Sequence, residues 1–365
     1  MLTILKIVTI ILFISCGVGL AADFSQKDLG YIEDEPFSFY TPELLKKAEQ
    51  GDLEAQFNIS RCFESGWGVV MDKKESEKWL LKGVKAKYPP SLYAYASKLI
   101  AVENKNKDIE AAIPLLEEAH KQKYYKATYA LSGILSDNTA DPTNETPKKL
   151  IDVKRSDKLL VEAAEAGECY AQGMLGNRII FKNRIEDLET LTSIKTEDGI
   201  KWYEKAAFKQ DANAAGELVG FYKYGPNDIQ KNPALQDKWE KIFFDILKRV
   251  VALNDDKGGF WDRVLALYYL DAKGTDKNEA KAFIHMYNAA LGGDFKAKYE
   301  VGYLFEKGIG IPKNIDEAVK WYAKCKDDPV SLKNLKRDFN QDPKWKESEL
   351  VVNLMRESES PTNPQ

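Results

Sequence analysis

Apolar residues recur along most of the chain with the spacing of an amphipathic helix. In seven segments, a small or apolar anchor residue is followed by further apolar residues four and eight positions later. Positions 0, 4 and 8 lie on one face of a helix. The anchors stand 36 to 47 residues apart, so each predicts the first helix of one structural repeat. These anchors are Ala55, Ser91, Ala127, Ala171, Ala214, Trp261 and Ala297.

A second helix is predicted in each repeat, where a bulky residue is followed four positions later by a small one. Two amphipathic helices cannot bury their apolar faces alone, so neighbouring pairs must stack into a continuous core. Five positions after each anchor the residue is mostly small, which lets two helices approach closely. The bulky and small residues include Trp79 with Gly83, Leu159 with Ala163, Trp202 with Ala206, His285 with Ala289 and Trp321 with Cys325.

These segments resemble the Sel1-like repeat family, a relative of the tetratricopeptide repeats. The likeness is strongest at residues 297–311 and 316–322, at the first repeat, and at residues 197–207. It implies an all-α fold, an α-solenoid superhelix of about seven Sel1-like helix-turn-helix repeats with C-terminal capping helices. Gly66-Trp67-Gly68 and Gly308-Ile309-Gly310 are predicted to be turns between helices with left-handed backbone angles, not phosphate loops.

The predicted organisation has five parts. Residues 1–22 are a signal peptide, and residues 23–42 are an extended lead-in to a helix that Thr41 caps and Pro42 begins. The repeats cover residues 43–326, the C-terminal helices residues 327–356, and a disordered tail residues 357–365.

The N-terminus indicates export. Lys6 precedes an apolar run at residues 7–14, and small residues follow, so cleavage is expected after Ala21 or Ala22. Two alternatives stay open, an uncleaved anchor helix and lipoprotein processing at Cys16. The predicted location is periplasmic, outer-membrane associated or secreted, in a bacterium.

Charge, histidine content and the absence of known motifs exclude several classes of function. Lys and Arg number 53 against 57 Asp and Glu, so the net charge of −4 argues against a nucleic-acid partner. The only histidines are His120 and His285, and no zinc, phosphate-loop or nucleophile motif is present. Cys62, Cys169 and Cys325 are expected to be packing thiols. We therefore predict no enzyme, no cofactor and no metal site.

The resemblance implies that stacked first helices line a concave face, where positions 1, 3 and 6 after each anchor would contact a protein partner. The expected partner is an envelope or host protein, with virulence among the roles implied, and membrane association would come through an N-terminal anchor or that partner. Alternatives are a membrane-tethered envelope assembly factor and, more remotely, an enzyme acting on peptidoglycan or β-lactams. The predicted partner-binding residues are Gln56, Asn58, Arg61, Gln172, Asn177, Lys298, Glu300 and Tyr303.

Overall fold

The computed structural model describes residues 39–101, 108–136, 147–181, 195–226, 228–252, 259–341 and 343–359. Within these ranges the chain forms seventeen α-helices, two short 3-10 helices and no β-strand. The predicted signal peptide and most of the predicted lead-in lie outside the described residues, as do residues 360–365.

The first helix, α1 (Pro42–Glu49), begins where the sequence predicts. The Thr41 hydroxyl accepts a hydrogen bond from the Leu44 amide at 3.1 Å, and Pro42 occupies the first turn. Seven helix pairs follow, and each predicted anchor lies near the start of the first helix of a pair. Pairs 1 to 7 are α2 (Leu53–Ser65) with α3 (Lys73–Lys85), α4 (Pro89–Ile100) with α5 (Ile109–Lys121), α6 (Tyr125–Leu135) with α7 (Val153–Glu165), α8 (Cys169–Phe181) with α9 (Thr196–Phe208), α10 (Ala212–Tyr224) with α11 (Pro233–Ala252), α12 (Phe260–Asp271) with α13 (Glu279–Leu291), and α14 (Phe295–Lys307) with α15 (Ile315–Lys326).

The helices divide into two compact units. The N-terminal unit contains Glu33–Ile246 and Tyr268–Asn278, and in it the helices from α1 to α10 each pack against their sequence neighbours. The C-terminal unit contains Leu247–Leu267 and Glu279–Gln365, and there α13, α14 and α15 pack in the same order. Packing between sequence neighbours is the arrangement of an α-solenoid, so the predicted fold class is confirmed.

Small residues do bring the two helices of a pair together, as predicted. A Cβ atom on Gly176 would lie 2.8 Å from both the Gly199 carbonyl oxygen and the Tyr203 ring. In pair 7, a Cβ atom on Gly302 would lie 2.8 Å from the Tyr322 ring. These distances leave no room for a side chain, so the glycines set the spacing between the helices.

The predicted bulky residue of the second helix is buried in some pairs and half-exposed in others. Trp79, Leu159 and Trp321 are less than a tenth exposed, as predicted. His285, expected in the core, is half-exposed, whereas Met286 is fully buried, so the expectation is wrong for His285. The helix turns about 100° per residue, and in this pair the next side chain faces the core. The residue after the predicted one is buried in most pairs, at Leu80, Leu116, Leu160, Tyr203, Met286 and Tyr322.

The predicted turn glycines have left-handed backbone conformations. Gly66 ends α2 at φ +73°, and Gly308 ends α14 at φ +74°. The Gly66 amide donates to the Cys62 carbonyl oxygen, which closes the last turn of α2. The interpretation as turns between helices is confirmed.

The C-terminal part begins like one more repeat. In α16 (Pro329–Gln341), Ser331 and Leu335 are fully buried at anchor spacing, and the helix packs on α14 and α15. A 3-10 helix (Pro343–Glu347) then precedes α17 (Glu349–Glu359), which packs on the 3-10 helix and on α15. Helices are therefore present where the sequence predicts C-terminal helices, within residues 327–356, and the chain makes a 3-10 turn around Trp345 before α17 begins.

Candidate protein-binding face

Three of the predicted partner-binding residues lie inside the fold. Gln56, Asn58 and Gln172 are all less than a tenth exposed. The Gln56 Nε2 group donates to the Ala48 carbonyl oxygen at 3.0 Å, and the Gln172 Nε2 group donates to the Ala164 carbonyl oxygen at 3.1 Å. Gln56 and Gln172 stand one position after their anchors and face the preceding helix, and Asn58 is buried as well, so the expectation that these three residues lie on the surface is wrong.

Arg61 and Asn177 are half-exposed and held by neighbouring side chains. The Arg61 guanidinium lies over the rings of Phe57 and Trp67, at 5.8 and 5.2 Å from their centroids. The Asn177 Nδ2 group donates to the Tyr203 hydroxyl at 3.2 Å. A partner-binding role for both residues remains a prediction.

The last three predicted residues are covered by the chain's own C-terminal segment. Lys298 pairs with Asp328 at 2.5 Å, Glu300 accepts from the Lys344 ammonium at 3.1 Å, and the Tyr303 ring lies 5.4 Å from the ring of Trp345. Burial raises the pKa of Glu300, and the Lys344 ammonium opposes that shift. Sequence reasoning placed these side chains on the right helix but missed that residues 328–348 occupy their surface.

The Asp328 pair predicts an acid-sensitive contact. The Lys298 ammonium, followed by the Ser331 hydroxyl, holds the pKa of Asp328 well below its usual range. A lowered carboxylate pKa contributes stability above the unfolded pKa of about 3.9, and that contribution is lost as the pH falls through the folded pKa. For a solvent-accessible pair we expect a loss of about 0.5–1 kcal/mol. Urea unfolding at pH 6 and pH 3 measures it, and Lys298→Met should show a smaller pH dependence than the unchanged chain; an equal dependence would contradict the assignment.

A row of aromatic rings runs along the first helices of the N-terminal unit. The residue two positions after the anchor is aromatic in pairs 1 to 3, and each ring contacts a second ring at the start of the next first helix. The centroid distances are 6.3 Å for Phe57 with Tyr88, 5.8 Å for Tyr93 with Tyr124, and 6.4 Å for Tyr129 with Tyr170. Phe57 is buried, Tyr170 is 53% exposed and the other four are half-exposed. We call these six residues the aromatic face.

Two tyrosines of the aromatic face stand where other repeats have an aspartate that caps the helix. Asp52, Asp211 and Asp294 cap their first helices through side-chain hydrogen bonds. Tyr88 and Tyr124 occupy the same position before α4 and α6 and make no such bond. Losing a capping side chain costs about 1 kcal/mol. Helix formation alone therefore does not account for these tyrosines.

The surroundings of Tyr129 are acidic. Burial, followed by the carboxylates of Glu168 and Asp211, raises the pKa of Tyr129 to about 12. The nearby Arg178 acts in the opposite direction, but its guanidinium is paired with the buried Asp157 carboxylate. This end of the aromatic face therefore favours a positively charged neighbour.

Two glycines of the first helices have no role in packing. A Cβ atom on Gly133 or on Gly220 would meet no atom within 4 Å, and neither residue has a positive φ. Both stand six positions after the anchor of their repeat, and Gly133 is exposed next to the turn that carries Tyr129. The helix surface beside Tyr129 therefore carries no side chain at Gly133.

Filling these positions should stabilise the fold. Glycine within a helix is less favourable than alanine by about 0.5–1 kcal/mol. We expect Gly133→Ala and Gly220→Ala each to raise the free energy of unfolding by about that amount, as measured by urea titration. Gly302→Ala, where a Cβ atom would meet the Tyr322 ring, is the control and should destabilise; a loss of stability in Gly133→Ala would show that the site is not open.

The described residues offer little catalytic chemistry. His285 Nδ1 lies 2.8 Å from Asp262 Oδ1, and His120 Nδ1 lies 2.9 Å from the Thr128 hydroxyl. Burial raises the pKa of Cys62 to about 11 and that of Cys325 to about 12, so both thiols stay protonated at neutral pH. Across the part of the chain that the structure describes, no group of three or more His, Cys, Asp and Glu residues could hold a metal ion. Nor does any helix in that part have the length and hydropathy to cross a membrane.

Comparison with known proteins agrees with the repeat geometry. The Sel1 repeat family model matches residues 53–88, 195–207, 263–294 and 296–324, which are pair 1, α9, pair 6 and pair 7. The chain carries Sel1 repeats. Between pair 1 and pair 6, only α9 matches. This interval contains helices α4 and α6, the lengthened connections of pairs 3 and 4, and the long helix α11.

Two curated relatives are fungal. The chain is 22% identical over 344 residues to chitin synthase regulatory factor 3 of Schizosaccharomyces pombe, covering 90% of this chain and 30% of that protein. It is 23% identical over 314 residues to the chitin synthase regulator SKT5 of Saccharomyces cerevisiae, covering 84% of this chain and 36% of that protein. The chain therefore spans about a third of the length of these relatives.

Among solved structures, the chain is similar to a Sel1 repeat protein from Oxalobacter formigenes. The two share 20% identity with a TM-score of 0.49, over 80% of this chain and 79% of the other.

Sequence reasoning missed the aromatic face, although the signal was present. With the repeats in register, Phe57, Tyr93, Tyr129 and Tyr299 all fall two positions after an anchor. The predicted binding positions were 1, 3 and 6 after the anchor. At position 6 of these repeats, Arg61 and Ser97 are half-exposed and Gly133 is exposed.

Proposed function

We propose that this chain is a protein-binding scaffold that holds a partner segment on its aromatic face. Sel1 repeats generally mediate protein–protein interaction and generally carry no catalysis. The observation that supports a site here is the pair of tyrosines, Tyr88 and Tyr124, that stand half-exposed where a capping carboxylate would stabilise the helix. Tyrosine is enriched at interfaces because it combines apolar area with a hydrogen-bonding hydroxyl.

Site-specific crosslinking tests the location. A photoreactive benzoylphenylalanine is placed at Ser97 or Arg61, beside the aromatic face, and matched probes are placed at Glu77 and Lys158 on exposed second-helix surfaces. In cells that express the full chain, we expect the same crosslinked protein from the first two positions and none from the second two. Crosslinks from the second helices alone, or from no position, would contradict the proposal.

We also propose that the chain is exported, and that its partner is an envelope or host protein. The support is the sequence of residues 1–22, where Lys6 precedes an apolar run and small residues follow. Intact mass of the purified protein distinguishes the outcomes: cleavage after Ala21 or Ala22, a lipid on Cys16, or a full-length chain with an uncleaved helix. A full-length chain recovered from the soluble cytosolic fraction would contradict export.

A second candidate is control of a polysaccharide synthase. The names of the two yeast relatives favour it, since both are called regulators of a chitin synthase. The identity of the protein crosslinked at Ser97 and Arg61 decides between the candidates: a polysaccharide synthase supports control of that enzyme, and an envelope structural protein or a host protein supports the exported scaffold.

A further inference from the structure

The chain itself shows how an aromatic side chain binds to a first helix. Trp345, from the 3-10 helix, is 1% exposed and lies 5.2 Å from the Tyr299 ring and 5.4 Å from the Tyr303 ring of α14. The preceding Lys344 donates to the Glu300 carboxylate at 3.1 Å and lies 4.5 Å from the Trp345 ring. A lysine and an aromatic residue adjacent in sequence thus bind one tyrosine-bearing face together.

The tyrosines that hold Trp345 stand two and six positions after the anchor Ala297. In pair 3 the equivalent residues are Tyr129 and Gly133, after the anchor Ala127. Pair 3 therefore has the first tyrosine of pair 7 but a glycine in place of the second. A Cβ atom on that glycine would have no atom within 4 Å. An incoming ring that packed on Tyr129 would share that ring with Tyr170, whose centroid lies 6.4 Å away, and would lie over the open position at Gly133.

The charge near Tyr129 also matches that arrangement. Glu300 meets the lysine in pair 7, and Glu168 and Asp211 supply negative charge near Tyr129. Both carboxylates cap the helices that follow, so they are fixed in place: Glu168 accepts from the Ala171 amide at 2.5 Å and Asp211 from the Ala214 amide at 3.1 Å. A basic residue next to the incoming ring would meet a preorganised negative field.

We infer that the aromatic face binds a partner segment in which an aromatic side chain is adjacent to a lysine or arginine, with the aromatic ring on Tyr129 over Gly133. The inference rests on the proposed function and specifies the chemistry of the partner. The binding mode is that of Lys344 and Trp345 on α14, made between two chains instead of within one.

A peptide with the sequence of residues 341–349 is the probe, with 5-fluorotryptophan at the position of Trp345. Its binding to the full chain is followed by fluorine NMR into the millimolar range, because the same contact within the chain benefits from a high effective concentration. We expect saturable binding that Gly133→Leu weakens at least tenfold. Gly220→Leu is the matched control and should change the affinity less than twofold, since its glycine is equally open but Gly216 replaces the tyrosine at the second position.

Two altered peptides test the chemistry. The peptide with Trp345→Ala carries no fluorine, so it is tested by competition and should not displace the fluorinated peptide at millimolar concentration. The fluorinated peptide with Lys344→Glu should bind at least fivefold more weakly. Equal binding of the alanine peptide, equal effects of the two leucine variants, or no binding by any peptide would each overturn the inference. Crosslinking from Ser97 and Arg61 would survive those results if the face binds a partner of other chemistry, so failure of the inference and failure of the proposed function are distinguishable.

Discussion

Replacing Trp345 with alanine is expected to lower the free energy of unfolding of the C-terminal unit by about 3–5 kcal/mol, the range for truncating a fully buried tryptophan. The indole packs on the rings of Tyr299 and Tyr303, so its removal leaves a cavity between α14 and the 3-10 helix. The contacts that flank it, Lys344 with Glu300 and Ser348 with Glu306, are then held by polar groups alone.

Urea unfolding of the full chain measures the loss, and limited proteolysis shows whether residues 343–359 detach first. Trp67→Ala is the control, because Trp67 is half-exposed in a turn and contacts the Arg61 guanidinium. We expect the control to cost about 1 kcal/mol, in line with an accessible cation–π contact. If Trp345→Ala cost no more than Trp67→Ala, the C-terminal segment would not be an integral part of its unit.

The second large effect is expected at Gly310. Its φ of +71° is a left-handed conformation, and a Cβ atom there would lie 2.0 Å from the Glu279 carbonyl oxygen. The conformation costs an alanine about 1–2 kcal/mol, and forcing the two backbones apart adds about 1–3 kcal/mol. We therefore expect Gly310→Ala to lower the free energy of unfolding by about 2–5 kcal/mol.

Gly51→Ala separates the two causes. Gly51 has φ +97°, but a Cβ atom there would meet nothing within 4 Å, so only the conformational cost applies. Urea titration of both variants should show the larger loss for Gly310→Ala. Equal losses would mean that the close approach between the Gly308–Gly310 turn and the start of α13 relaxes at no cost.

The anchors could be predicted from the sequence because their spacing is a local property. Each anchor and its successors at positions 4 and 8 face the same core, and Leu131 and Leu175 are buried as expected. In the second helices Trp79, Leu159 and Trp321 are buried as predicted, but Trp202 is half-exposed and Tyr203 is buried in its place. Both of these residues are large and aromatic, so only packing decides which of them faces inward.

The surface could not be predicted in the same way. Whether Gln172 faces solvent depends on the position of the Ala164 carbonyl in the preceding helix, and whether Tyr303 is exposed depends on a segment 42 residues later in the chain. Such contacts have no periodicity of their own. The aromatic face is the exception, since its rings recur at the same positions of successive repeats.

The buried polar side chains after the anchors have a consequence for how the array comes apart. Gln56 and Gln172 each bind a carbonyl near the end of the preceding helix, and the Thr128 hydroxyl binds His120 of α5. When an outer helix frays, the next one loses a hydrogen bond across the junction, whose net contribution is about 0.5–1.5 kcal/mol. Hydrogen exchange should therefore proceed in blocks of helices joined by these hydrogen bonds rather than helix by helix. The number of helices that unfold together then depends on two glutamine amides and one hydroxyl as well as on the apolar area buried between helices.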